Sequence, residues 1–145
     1  MDAVRASDGF VPELSLVAEE HGEVVGHALF SHVGLDGQSR RLLELAPMSV
    51  RPDRQRVGIG SALVRAGLAA ADARGEPVVL VLGHPEYYPR FGFRPASQLG
   101  IAAPDARIPD AAFMALPLSS YDPAIRGRVV FPPAFAVTSP SARRA

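Results

Sequence analysis

The chain is 145 residues long, 48% hydrophobic and 21% charged, with 15 basic residues set against 15 acidic ones. That length supports one domain around one packed core, and the balanced charge excludes a global attraction to nucleic acid or anionic lipid. No apolar run approaches the ~20 residues of a membrane helix, and the absence of cysteine excludes a disulfide framework, a thiolate nucleophile and a cysteine-based zinc site.

All 15 basic residues are arginine, which together with the 14 prolines points to a GC-rich, bacterial genome. The N-terminal stretch MDAVRASDGF lacks the apolar core of a secretory signal, so a cytoplasmic protein is expected. Residues 14 to 20 and 23 to 35 form two β-rich runs joined at His21-Gly22, which predicts a hairpin. LLELAPMSV (42 to 50) is a third strand that ends at Arg51-Pro52, where proline discourages further pairing. From Gly58 to Arg74 the residues Ile59, Ala62, Leu63, Ala66, Ala69 and Ala70 recur at helical spacing, with Gly75 placed as the C-terminal cap. EPVVLVLG (76 to 83) reads as a strand buried on both faces, so strand, helix and strand predict a parallel pair with a right-handed crossover. One or two helical turns over 85 to 91, with Pro89 bending them, precede short strands from Phe93 and over 111 to 118. An edge piece over 128 to 135 and a disordered tail, 136 to 145, complete the expected layout.

The stretch QRVGIGSALVRAGL places Gly58 and Gly60 at the start of that helix. A helix N-terminus exposes amides without intrahelical partners and carries partial positive charge, so it suits an anion. Two glycines let a phosphate approach closely, and Arg54 and Arg56 add positive charge beside it. A nucleotide P-loop needs a Gly-Lys-Ser/Thr triplet, and the chain has no lysine. A dinucleotide fingerprint needs a small residue at Leu63 and an acidic residue near Gly83-His84, so an oxidoreductase is disfavoured. A tight strand-to-helix turn with no ligand also accounts for the pair.

Gln55-Arg56-Val57-Gly58-Ile59-Gly60 resembles the Q/R-x-x-G-x-G/A acetyl-CoA motif of the GCN5-related N-acetyltransferase (GNAT) superfamily. EYYPRFGFRPA resembles the later Tyr-x-x-x-Gly-Phe signature of the same superfamily, with Tyr88 four residues before Gly92-Phe93. The resemblance covers roughly residues 14 to 118 and is nearest to a bacterial subgroup of acetyltransferases. It implies an α/β protein with a mixed, mostly antiparallel sheet, a splayed parallel strand pair and flanking helices. It further implies that the amides of Arg56, Val57, Gly58, Ile59, Gly60 and Ser61 bind the pyrophosphate of acetyl-CoA as cosubstrate. Backbone groups of Met48 and Val50 would serve the pantetheine arm and the acetyl carbonyl.

The implied reaction is direct attack of a primary amine on the thioester, with an oxyanion near the Val50 amide and no covalent enzyme intermediate. Tyr88 is the candidate general acid for the thiolate, a packing role for it or Tyr87 being the alternative. Glu44 lies four residues before Met48, so strand alternation puts the two on one face and makes Glu44 a candidate base, the alternative being a solvated glutamate. His84, in the loop after the second parallel strand, is the other candidate, acting directly or through water, the alternative being a simply exposed loop histidine. Arg65, Arg74, Arg90 and Arg94 are within the set that could serve the 3′-phosphate, the alternative being exposed arginines that serve only solubility, and none is assigned as a ligand. His21, His27 and His32 show no metal-ligand spacing, and no metal is expected.

Only 13 residues precede Leu14, so the N-terminal strand and helices of the family are expected to be missing from a domain spanning 1 to 135. The exposed edge that results would suit a homodimer. The acceptor amine is a small molecule or a protein. A non-catalytic acyl-CoA-binding or dimerising module is the alternative reading.

Overall fold

The computed structural model describes residues 10–131. The expected tail, 136 to 145, lies outside the described residues, as do residues 1–9 and the last four of the 128 to 135 run. Eight strands form the sheet: β1 (Phe10–Glu20), β2 (Glu23–Leu35), β3 (Arg41–Val50), β4 (Val78–Leu82), β5 (Arg94–Pro95), β6 (Ile101–Ala102), β7 (Phe113–Pro117) and β8 (Gly127–Val130). Their order is β5-β7-β4-β3-β2-β8-β6, with β1 also paired to β2. The β1–β2 hairpin turns at His21 and Gly22, both at positive φ (52° and 81°), the mirror-image turn whose twist matches the strands it joins.

The α-helix α1 (Ile59–Ala73) crosses from β3 to β4. Its buried face is Leu63, Val64, Gly67 and Ala71, whereas Ala62, Ala66 and Ala69 face solvent. The periodicity therefore locates the helix but misplaces part of its stripe, because alanine is good helix former on either face. At Gly67 an added Cβ would collide with the Phe30 ring, so the missing side chain is what lets helix and sheet approach there. Gly75 has φ +82°, Glu76 N–H donates to Ala71 C=O (3.1 Å) and Gly75 N–H to Asp72 C=O (3.0 Å), a Schellman closure of the helix. α1 is the one α-helix among the described residues, and the other face of the sheet is covered by short 3-10 turns and loops.

The sheet separates two apolar clusters. Phe30, Leu43, Leu45 and Met48 pack under α1, while Leu29, Val33, Leu42, Ala46 and Leu80 pack on the other side with Ile101, Ile125 and Val129. Each fully buried Leu, Ile or Phe contributes on the order of 1.5–3 kcal/mol, so both layers hold the sheet.

Two features of β3 set up what lies beyond it. It pairs in parallel with β4 only through Leu43↔Val79 and Glu44↔Leu80, and its remaining residues diverge. Against β2 the register runs from Phe30↔Leu45 to Ala28↔Met48, two steps in one strand against three in the other. That extra residue is a β-bulge at Ala46-Pro47, and it exchanges the faces of β3 on its two sides.

Candidate functional site

The divergence of β3 from β4 opens a cleft of about 720 Å³ at the C-terminal ends of the two parallel strands. Its first wall is the entry to α1. Gly58 caps the helix at φ +92°, a conformation that side chains resist, and a Cβ there would meet nothing within 4 Å. The cap has no side-chain hydrogen bond, so the first-turn amides of α1 lack a side-chain capping partner. Gly60 and Ser61 continue this wall, and Arg56, itself at φ +65°, stands at its rim.

The second wall is the backbone of Met48, Ser49 and Val50. Arg51 N–H donates to Val25 C=O at 2.8 Å while Gly26 is opposite Val50. In an antiparallel ladder, pairs alternate between those that exchange hydrogen bonds and those that do not. Val50 (opposite Gly26) and Met48 (opposite Ala28) therefore turn their N–H and C=O groups away from β2, toward the gap left by β4. Gln55 Nε2 donates to the Val50 carbonyl at 3.1 Å, reaching it from that open side.

The third wall is the segment after β4. His84, exposed, accepts backbone bonds from the N–H groups of Tyr87 (3.1 Å) and Tyr88 (3.4 Å), and the chain then turns through a 3-10 helix, Tyr88–Phe91. Pro89 sits in the first turn of that helix, where a missing N–H costs nothing. Tyr88 is 4% exposed, with its ring edge-on to Phe93 at 5.8 Å, and burial pushes its phenol up to about 12, with Tyr87 adding to the shift. The Tyr88 hydroxyl thus keeps its proton throughout the neutral range.

The arginines divide sharply. Arg54 is held by Glu20 in a two-pronged ion pair, 2.6 Å on each side, and does not line the cleft, so the expected contribution of Arg54 to an anion site is corrected: its charge is already matched. Arg51 is similarly held by Glu23 and Asp53. Arg74 pairs with Glu13 and Glu76 beyond the far end of α1, and Arg65 lies over the Phe91 ring at 5.1 Å. Arg56 and Arg90 are the arginines that line the cleft. Among the described residues no group of three or more His, Asp or Glu side chains could hold a metal ion.

Of the sequence-predicted residues, Met48, Val50, Arg56, Gly58, Gly60, Ser61, His84 and Tyr88 meet in this one cleft. Val57 is 58% exposed and Ile59 packs toward the core against Gly26, so neither side chain lines it. The expectation that Glu44 shares a face with Met48 is overturned. The bulge at Ala46-Pro47 puts Glu44 on the face opposite α1 with Leu42 and Ala46, fully buried, while Met48 points under the helix. Pro47 was the signal in the sequence, since a proline inside a central strand marks a bulge. Ser49 and Tyr87 also line the cleft and have no binding role in the sequence reading; Arg90, a sequence candidate for the 3′-phosphate, lines it as well, following Tyr87 by three residues, one turn of 3-10 helix.

Residues 12–95 match the family model described as "Acetyltransferase (GNAT) domain". Among curated proteins the chain is 43% identical over 96 residues to YjhQ of Escherichia coli, named an uncharacterized N-acetyltransferase; the match covers 64% of this chain and 53% of that protein. It is 36% identical over 91 residues to YhbS of Escherichia coli, likewise named, covering 62% and 54%. The chain thus spans about half the length of these curated relatives. Among solved structures, YhbS from Escherichia coli in complex with CoA superposes with a TM-score of 0.78 at 28% identity, over 86% of this chain and 70% of that one. A GNAT family acetyltransferase from Brucella melitensis in complex with acetyl-CoA superposes with a TM-score of 0.73 at 37% identity, over 92% and 74%.

Proposed function

The chain belongs to the acetyltransferase (GNAT) family, and on that premise we propose that its cleft binds acetyl-CoA and transfers the acetyl group to a primary amine. The observation that carries this reading is the pair Met48 and Val50, whose backbone groups face the gap left by the diverging parallel strands, beside a helix start whose cap, Gly58, makes no side-chain hydrogen bond. A peptide-like pantetheine arm satisfies such groups in place of a neighbouring strand, and the amides of α1 with Arg56 suit its diphosphate.

The amine nitrogen attacks the thioester carbonyl, the carbon–sulfur bond breaks, and the products are the N-acetyl amine and free CoA thiol. The Val50 N–H stabilises the oxyanion that forms on the carbonyl oxygen. Tyr88, kept protonated by burial, gives its proton to the departing thiolate. His84 takes the proton that the amine must lose; it lines the cleft, whereas Glu44 is buried on the far face.

The test is calorimetric titration with acetyl-CoA, using NADH as control, followed by an amine screen for CoA release. Binding of acetyl-CoA but not NADH is expected; a folded sample that binds neither overturns the reading.

A further inference from the structure

The reaction above uses Tyr88 and leaves Tyr87 without a task, although both line the cleft. The Tyr87 hydroxyl lies 3.2 Å from Ser61 Oγ, across the cleft on α1. It also lies 3.3 Å from the position a Cβ on Gly60 would take, so it sits directly over the first turn of the helix. The ring is held on several sides. It is edge-on to Tyr88 at 5.0 Å and to Phe91 at 5.4 Å, and the Arg90 guanidinium stands 4.4 Å from its centroid while Arg90 Nε donates to the Tyr87 carbonyl at 2.9 Å.

The chemistry of this arrangement is that of a donor-rich anion contact. Two hydroxyls carry two protons, and their mutual bond uses one. The second proton is left to offer to a phosphate oxygen, next to first-turn amides and beside the cations Arg56 and Arg90. An anion seated on the start of α1 must therefore either bond to the Tyr87 hydroxyl or push aside a ring packed on all those contacts.

We propose that the two adjacent tyrosines divide the cosubstrate between them: Tyr87, with Ser61 and Arg90, binds the diphosphate end of CoA, and Tyr88 serves the thiol end. This rests on the reading of the cleft as a CoA site. Tyr87 is then a binding residue that favours a diphosphate-bearing thioester, and it contributes nothing to proton transfer.

The wild type, Tyr87→Phe, Tyr88→Phe and Ser61→Ala would be titrated with CoA by calorimetry, with thermal melts checking that each is folded. Phosphorus NMR of CoA at saturation would report the environment of its diphosphate directly. The expected result is a Kd raised about tenfold (about 1.4 kcal/mol) in Tyr87→Phe and within about twofold of wild type in Tyr88→Phe. The diphosphate resonance of the complex should move in Tyr87→Phe and Ser61→Ala but not in Tyr88→Phe. Wild-type binding with an unchanged Kd and unchanged resonance in Tyr87→Phe would overturn the division of labour alone. Absence of CoA binding by the folded wild type would overturn the underlying reading. Should Tyr87→Phe fail to fold, Ser61→Ala decides the matter by the same resonance.

Discussion

The ring of Tyr88 occupies the space that a side chain at position 83 would need: a Cβ built on Gly83 lies 2.5 Å from Tyr88 Cε2. Gly83 cannot step back, because its N–H is bonded to the Ala112 carbonyl at 3.0 Å. Gly83→Ala is therefore expected to displace the ring of Tyr88, costing about 1–3 kcal/mol of stability as an overpacked core position does. It should also lower kcat by tenfold or more while acetyl-CoA still binds. Melting curves with steady-state kinetics check this, and wild-type kcat would show that the ring position is irrelevant to turnover.

Tyr88→Phe keeps the packing and removes the proton. The rate of acetyl transfer is expected to fall on the order of a hundredfold with little change in cosubstrate affinity, the pattern of an interaction made only in the transition state. The pH dependence follows from the sign of the shift. Burial raises the phenol from the ordinary 10.0 to about 12, so the folded protein holds a proton that the unfolded chain has lost between those values. The contribution of that neutral phenol to stability is complete below the unfolded value and is lost as pH rises toward the folded one. In turnover, the alkaline limb due to Tyr88 should appear only on approach to about pH 12. A limb near neutrality that disappears in Tyr88→Phe would contradict the assignment.

Gly58→Val and Gly60→Val should weaken CoA binding by at least about tenfold, or about 1.4 kcal/mol, for different reasons. At Gly58 the space is open, and the cost comes from holding a β-branched residue at φ +92°, which reshapes the loop. At Gly60 the backbone is helical, and the new side chain presses on the Tyr87 hydroxyl and on Val50 Cγ2, 3.3 and 3.7 Å from its Cβ. Titration of both variants decides the point; unchanged affinity in each removes the helix start from the binding site.

Gly67→Ala tests the fold apart from the site. Ordinarily alanine in a helix interior is favourable over glycine by up to about 1 kcal/mol. Here the Cβ collides with the fully buried ring of Phe30, so net destabilisation of about 1–3 kcal/mol is expected. Denaturant unfolding measures it, and a more stable variant would show that helix and sheet have room to separate.

What the sequence determined by itself is what local chemistry dictates. The hairpin turn at His21-Gly22, the helix from Ile59 closed by Gly75, the short turn before Gly92 and the glycine-lined helix start each depend on residues adjacent in the chain, whose φ preferences and unpaired amides are legible without neighbours. The tertiary structure decided what depends on pairing and company. One extra residue at Ala46-Pro47 changes which face of β3 each side chain takes, and a register of strands is fixed by both partners, so the position of Glu44 relative to Met48 could not be counted from one strand alone. Alanines in α1 fit either face, and only packing against Phe30 and its neighbours chose Leu63, Val64 and Gly67 as the buried side. The charge of an arginine is visible in the sequence but its partner is not: Glu20 holds Arg54, 34 residues away, while Arg56 and Arg90 are left to the cleft. The Tyr87 hydroxyl reaches Ser61 across 26 residues because the parallel pairing of β3 with β4 brings the two ends together, a contact that exists only once the crossover helix has packed.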